Sequence, residues 1–267
     1  MDIFDSIQIA STLHEPEFRL KDVFQRTTAF IKRHIPHIYL SYTSQTSEEV
    51  VSALSNEGII CKVTPNDDQV NTYNYAVKLC IDNWKDNISK RIFYIDFDRL
   101  LHWINFYPEE LIKIIGMVDE YDFLHIGRTA RAFETHPKTQ KRTEGVINNL
   151  GSKVLEEKRI IDIISVNFAF SKRLAKIIID YSYSTAVGFY CTWPIILWKN
   201  ANNPSYVEVE GLEWETPDRF KHIISEIGYD KWLNDFQSPQ EWEKRVRFIQ
   251  ECEEELLNLI ELNFIQK

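Results

Sequence analysis

Apolar residues recur with two different periods along the first half of this chain, and the switching between them is its main structural signal. Residues 7–10, 37–42, 59–63, 91–95 and 121–127 are short apolar runs suited to buried strands. Between them, residues 20–34 put Val23, Phe24, Phe30 and Ile31 on one helical face. Ser47 ahead of Glu48 and Glu49 marks a helix start, and Gly58 its stop. Residues 71–84 and 109–118, the latter behind Pro108, read as further helices. Strand and helix alternating through short connections predict an α/β fold, a mostly parallel central sheet with helices on both faces. Ligands in such sheets bind beyond the carboxyl ends of the strands. Here those ends are residues 11–15, 41–46, 65–68, 96–99 and 128–131.

The second half is less regular. Residues 137–155 read as a charged helix with an interruption near Gly151, 160–170 as a long apolar run, and 171–179 as a helix. Residues 195–199 and 206–209 fit short strands or helix ends, and 217–227 and 239–264 read as helices. No linker separates the halves, so a single domain over residues 1–267 is expected.

Composition narrows the function classes. The chain has 267 residues, enough for a sizeable core, and its 44% hydrophobic share is that of a folded protein. A net charge of −9 argues against a nonspecific nucleic-acid binder, which needs a basic face. Cys61, Cys80, Cys191 and Cys252 form no CxxC pair, so neither a zinc ribbon nor a dithiol redox site is written here. The amino terminus has no basic-then-apolar leader, and no apolar run reaches the length of a membrane span. A cytoplasmic protein is expected, with peripheral membrane contact left open.

The chemistry concentrates at residues 91–103, Arg-Ile-Phe-Tyr-Ile-Asp-Phe-Asp-Arg-Leu-Leu-His-Trp. An apolar strand delivers Asp96 and Asp98 to its carboxyl end, and strand alternation would send both to one side with Phe97 opposite. Two such carboxylates can hold a hard divalent cation against phosphate oxygens. An isolated Asp-x-Asp is more often a pair of surface acids capping a turn, so its company decides. Gly127-Arg-Thr-Ala-Arg131 begins where the next strand ends and offers two guanidinium forks suited to phosphate or carboxylate, and residues 71–78 can present polar groups near the same edge.

The ordered set resembles the GT-A-fold glycosyltransferases. The string Asp98-Arg-Leu-Leu-His-Trp103 is similar to one in bacterial and archaeal glycosyltransferase-like proteins. Further matches are Gly127-Arg-Thr-Ala-Arg-Ala-Phe-Glu-Thr-His-Pro137, Asn167-Phe-Ala-Phe-Ser-Lys-Arg173, Trp193-Pro-Ile-Ile-Leu197 and Val209-Glu-Gly-Leu-Glu-Trp-Glu-Thr216. The resemblance spans residues 5–220. It implies a GT-A-like nucleotide-diphospho-sugar transferase fold, with a nucleotide-binding half (1–135), an acceptor half (136–220) and carboxyl-terminal helices (221–267). It also implies transfer of a sugar from a nucleoside diphosphate sugar to an acceptor hydroxyl, with Asp96 facing ribose or metal and Asp98 ligating Mn2+ or Mg2+. Thr12 and Glu15 would lie near the base or ribose, and Arg128 and Arg131 would face the donor or acceptor cleft.

One departure concerns the proton acceptor. The family commonly carries an acid after the helix that Ser171 begins, whereas Gly188-Phe-Tyr-Cys-Thr-Trp193 has none. An inverting transfer needs a carboxylate to take the acceptor proton. Asp180, Glu213 and Glu215 are the candidates; a retaining mechanism or a lost activity are the alternatives. A nucleotidyltransferase is a further alternative, against which stands the absence of glycine from residues 10–19. Trp103 is expected in the core with His102 as a half-buried partner, and His136 and His222 are weighed as third metal ligands against ordinary hydrogen-bonding roles.

Overall fold

The computed structural model describes residues 3–67, 71–181 and 187–261. Within it the chain runs β1 (Ile7–Leu13), α1 (Lys21–His34), β2 (Ile38–Tyr42), α2 (Glu48–Asn56), β3 (Ile60–Val63), α3 (Thr72–Asp82), β4 (Arg91–Tyr94), α4 (Phe97–Phe106) and α5 (Pro108–Met117). It continues through β5 (Phe123–Arg128), α6 (Ala130–Glu134), α7 (Lys138–Val154), β6 (Phe168–Phe170), α8 (Lys172–Asp180), α9 (Gly188–Asn200) and β7 (Pro204–Val209), and ends in α10 (Lys221–Ile227), α11 (Tyr229–Asp235) and α12 (Pro239–Glu261).

The strands form one seven-stranded sheet in the order β3-β2-β1-β4-β6-β5-β7. It is mostly parallel, and β6 runs antiparallel to both β4 and β5. Alternation along the strands feeds two cores. Ile7, Ile9, Ile38, Leu40, Phe93 and Leu124 pack with α1, α2, α4 and α5 on one face. Ala10, Tyr39, Ile92, Tyr94, Phe123 and Phe168 pack with α3, α7, α8, α9 and α12 on the other. Burial on both faces is why β1, β2, β4 and β5 read as apolar runs, whereas β3, at the sheet edge, is apolar in sequence but largely exposed.

Local chemistry sets the element ends. Ser47 caps α2 by accepting from Val50 N–H, and Ser171 caps α8 from Leu174 N–H. Gly58 follows α2 at a φ of 84°.

The long apolar run 160–170 resolves into a 3-10 turn, Ile163–Ser165, Val166 in the left-handed region (φ 57°) and the three-residue β6. Residues 195–199, expected as a short strand or a helix end, are the end of α9, which carries Pro194 inside it. Two expectations are corrected. Gly151 does not interrupt α7, because a side chain there would press on Ile163 Cγ1 at 2.8 Å, so glycine permits the close approach rather than breaking the helix. Residues 217–227 split into a 3-10 turn, Thr216–Arg219, and α10. Asp68, the last residue of one expected strand end, and the end of the last expected helix lie outside the described residues.

Candidate functional site

A cleft of about 350 Å3 opens beyond the carboxyl ends of β1 and β4. Parallel pairing sets Ala10 of β1 against Tyr94 of β4, and the Ser11 hydroxyl extends the contact by donating to the Ile95 carbonyl at 2.7 Å. That register brings the two chain ends out side by side. Thr12, Asp96 and Asp98 line the cleft with His14 and Thr43, while Thr72 and Tyr73 come from the start of α3 and Arg219 from the 3-10 turn near residue 216.

Asp96 and Asp98 are not two residues of one strand. Pairing stops at Tyr94, Asp96 stands at the N-cap position of α4, and Asp98 lies in its first turn. The two acids share the cleft because a helix start turns both toward it, and the helix dipole favours negative charge there. The Asp96 side chain does not cap the helix. Its Oδ1 accepts from the Thr12 hydroxyl at 3.1 Å and from the Tyr94 hydroxyl at 3.0 Å. Burial pushes the Asp96 carboxyl above its ordinary range; the Arg99 guanidinium pulls it back, and the Asp98 charge adds repulsion.

Asp98 has a different environment. Oδ1 accepts from the Arg99 backbone N–H at 2.9 Å, and Oδ2 faces Arg219 Nη2 at 3.1 Å. Arg219 also lies 3.7 Å from Oε2 of the buried Glu15. Glu15 accepts from Arg19 N–H at 3.2 Å, and burial raises its pKa against the pull of Arg219. It therefore sits behind the cleft as a counter-charge to Arg219.

Tyrosines form a wall on the α3 and α9 side. The Tyr73 ring stacks on Phe189 with centroids 3.5 Å apart, and its hydroxyl is 3.4 Å from that of Tyr190. Burial raises the pKa of Tyr73, Tyr94 and Tyr190, the last to about 12, so these phenols stay protonated and able to donate.

The segment after β7 closes over α4. Glu110 accepts from the backbone N–H groups of Glu210 and Gly211 and from Trp103 Nε1, pinning the turn. Glu215 lies 3.9 Å from Arg99 Nε. Burial raises the Glu215 pKa, opposed first by Arg99, with the Asp98 charge adding to the rise. Arg99 in turn donates to the Ser165 carbonyl, beside the left-handed Val166. His102 is buried in α4 between Asp218, 2.7 Å from Nδ1, and Glu213, 3.3 Å from Nε2. Both ring nitrogens face carboxylates, which suits the doubly protonated ring. Burial opposes that charge, but the bond to Asp218 and the acids around it hold the His102 pKa above its ordinary value.

The remaining sequence candidates lie elsewhere. Arg128 does not face a cleft: it is buried, with Asp162 and Glu144 occupying its guanidinium. Arg128 is the last residue of the fully buried β5, and both its backbone N–H and its guanidinium meet Asp162 from the segment before β6. Arg131 is half-exposed and held by Glu210, Glu213 and the Tyr107 hydroxyl, away from the lining residues of the cleft. Asp180 ends α8 at an exposed position, and Glu213 is tied between His102 and Arg131. His136 is buried, with Nδ1 3.1 Å from the Ala132 carbonyl, and His222 is exposed on α10, so neither stands with the acid pair. Trp103 is in the core. Arg219 is the charged group lining the cleft that the sequence did not single out; the Pro217 helix signal marked its neighbourhood without pointing it at Asp98.

Among the described residues no group of three or more His, Cys, Asp or Glu side chains is arranged to hold a metal ion, and no helix is long and apolar enough to cross a membrane. No protein-family model matches the chain. No curated protein matches it significantly. Among solved structures, one similar chain comes from Desulfovibrio desulfuricans G20 and carries a provisional description as a nucleotide-diphospho-sugar transferase. It is 11% identical, the match covers 93% of this chain and 98% of that one, and the TM-score is 0.39.

Proposed function

We propose that this chain binds a nucleoside diphosphate sugar in the cleft beyond β1 and β4 and transfers the sugar to an acceptor hydroxyl, using Mg2+ or Mn2+ held by Asp96 and Asp98. What supports this reading above all is the meeting of those two carboxylates with the Arg219 guanidinium in one open cleft at the strand ends. Hard divalent cations are commonly held by one or two carboxylates, with substrate phosphates and water as the other ligands. Asp96 and Asp98, both lining the cleft, would be the two carboxylates in that division. A bound cation would offset the charge that builds on the departing diphosphate.

The protein's own groups have separate tasks in this proposal. Thr12 and Tyr94 fix the Asp96 carboxylate by donating to one oxygen. Tyr73, braced on Phe189, supplies an aromatic wall for the donor. Among Asp180, Glu213 and Glu215, Glu215 is assigned as proton acceptor. Glu213 is tied between His102 and Arg131 and Asp180 is exposed at the end of α8, whereas Glu215 lies by Arg99, the residue that follows Asp98, and burial raises its pKa.

A second reading, donor binding without transfer, is favoured by the contact of Glu215 with Arg99, which engages the assigned base. Thermal shift with a panel of nucleoside diphosphates, with and without Mn2+, tests binding. Slow hydrolysis of the matching nucleoside diphosphate sugar tests transfer, with water standing in for the acceptor. Transfer predicts Mn2+-dependent stabilisation and a hydrolysis that Glu215→Gln removes while leaving the stabilisation in place. Stabilisation with no turnover in the wild type favours the second reading, and no stabilisation by any nucleotide sinks both.

A further inference from the structure

Arg219 reaches the cleft from a turn far from Asp98 in sequence, and its contacts there are unbalanced. Its Nη2 is 3.1 Å from Asp98 Oδ2 and 3.7 Å from Glu15 Oε2. Its buried Nε has no hydrogen-bond partner among the described residues, and neither does Glu15 Oε2. A buried donor without a partner is costly, and Nε with Nη2 forms one of the edges by which a guanidinium donates two parallel hydrogen bonds to a phosphate. Half of that edge is therefore empty, and the other half is spent on Asp98. Asp98 is similarly divided, with Oδ1 committed to the Arg99 backbone N–H and Oδ2 to Arg219. A divalent cation ligated by Oδ2 and a guanidinium 3.1 Å from the same atom would repel each other.

We infer that Arg219 is an internal counter-ion of Asp98, exchanged for the divalent cation when the donor site loads, and that the released Nε–Nη2 edge binds the donor diphosphate. This rests on the metal-dependent donor reading above. It makes cation and guanidinium rivals for Asp98 in the empty site and allies on the diphosphate in the loaded one. Glu15, close behind Arg219, is the remaining counter-charge that keeps the displaced guanidinium at the cleft.

The test compares wild type with Arg219→Gln using two probes: Mn2+ alone, followed by electron paramagnetic resonance, and inorganic pyrophosphate in excess Mg2+, followed by calorimetry. Arg219→Gln is expected to bind Mn2+ more tightly, by about tenfold, and pyrophosphate more weakly, by about tenfold, each the effect of one charge-assisted contact. Opposite signs from one substitution are the signature, because a merely structural arginine would weaken both. Unchanged or weaker Mn2+ binding overturns the exchange, and unchanged pyrophosphate binding overturns the diphosphate role. If Arg219→Gln melts far below wild type, Arg219→Lys serves. It keeps the charge and loses the fork, so pyrophosphate binding should fall while Mn2+ binding holds; a fall in both overturns the inference. A wild type that binds no Mn2+, with or without pyrophosphate, fails at the underlying metal reading and takes this inference with it.

Discussion

Arg128 and Asp162 form a two-pronged ion pair inside the protein, Nε to Oδ2 at 2.7 Å and Nη2 to Oδ1 at 2.8 Å. Asp162 Oδ2 also accepts the Arg128 backbone N–H, Asn148 donates to Oδ1, and Glu144 takes the remaining Nη1. The Arg128 charge holds the Asp162 carboxyl well below the usual carboxylate range despite burial. The network ties the end of β5 to α7 and to the loop before β6. Asp162→Asn leaves a buried guanidinium short of its counter-charge and should cost about 3–5 kcal/mol in urea unfolding. The triple change Arg128→Met, Glu144→Gln and Asp162→Leu, which removes all three charges, should cost less than Asp162→Asn; a larger cost would count against the stranded guanidinium as the source of the loss.

Gly211 lies against the Trp103 ring, where any Cβ would overlap the indole. Since Glu110 fixes both the Gly211 N–H and Trp103 Nε1, neither partner moves freely. Gly211→Ala should lower stability by about 1–3 kcal/mol through overpacking. The control is Gly145→Ala on α7, where a Cβ meets nothing within 4 Å and alanine's helix propensity should leave stability equal or higher by up to about 1 kcal/mol. Equal effects of the two substitutions, read as denaturation midpoints, would count against the packing described.

Acid should weaken the fold through His125. Burial lowers its pKa to about 4, with Asp162 opposing, and its Nε2 is 3.0 Å from the Ser165 hydroxyl. The folded pKa is below that of the unfolded chain, so the unfolded state takes up the proton first as pH falls. Stability is therefore lost through this group as pH falls from about 6.5 to about 4. His102 works in the opposite direction: its raised pKa adds stability in acid that is lost as pH rises through the folded value. Comparing wild type with His125→Gln isolates the first effect. The wild type should lose roughly 2 kcal/mol more between pH 7 and pH 5 than the variant. Parallel pH profiles would contradict it.

Much of the first half of the fold was legible because β1 to β5 are separated by helices whose apolar faces and caps are written locally, as at Ser47 and Gly58. The antiparallel β6 was not, since three residues at the end of a longer apolar run carry no signal of direction, and Val166 breaks the run by a backbone conformation that a β-branched residue seldom adopts. The same limit applies to the site. Asp96 and Asp98 stood out as neighbours in sequence, although strand alternation was the wrong reason for their convergence. Arg219 meets Asp98, and Glu215 meets Arg99, only through tertiary folding, and Arg128 misled because a strand-end arginine looks the same whether it faces a cleft or a buried aspartate.

The central claim, donor binding through a cation on Asp98, is tested most directly by the calorimetric affinity of the best-stabilising nucleoside diphosphate for wild type and Asp98→Asn, each with and without Mn2+. Mn2+ should tighten wild-type binding by about tenfold or more, and Asp98→Asn should lose that increment while retaining a cooperative melt. An affinity that Mn2+ leaves unchanged in the wild type, or increases equally in Asp98→Asn, would contradict the claim.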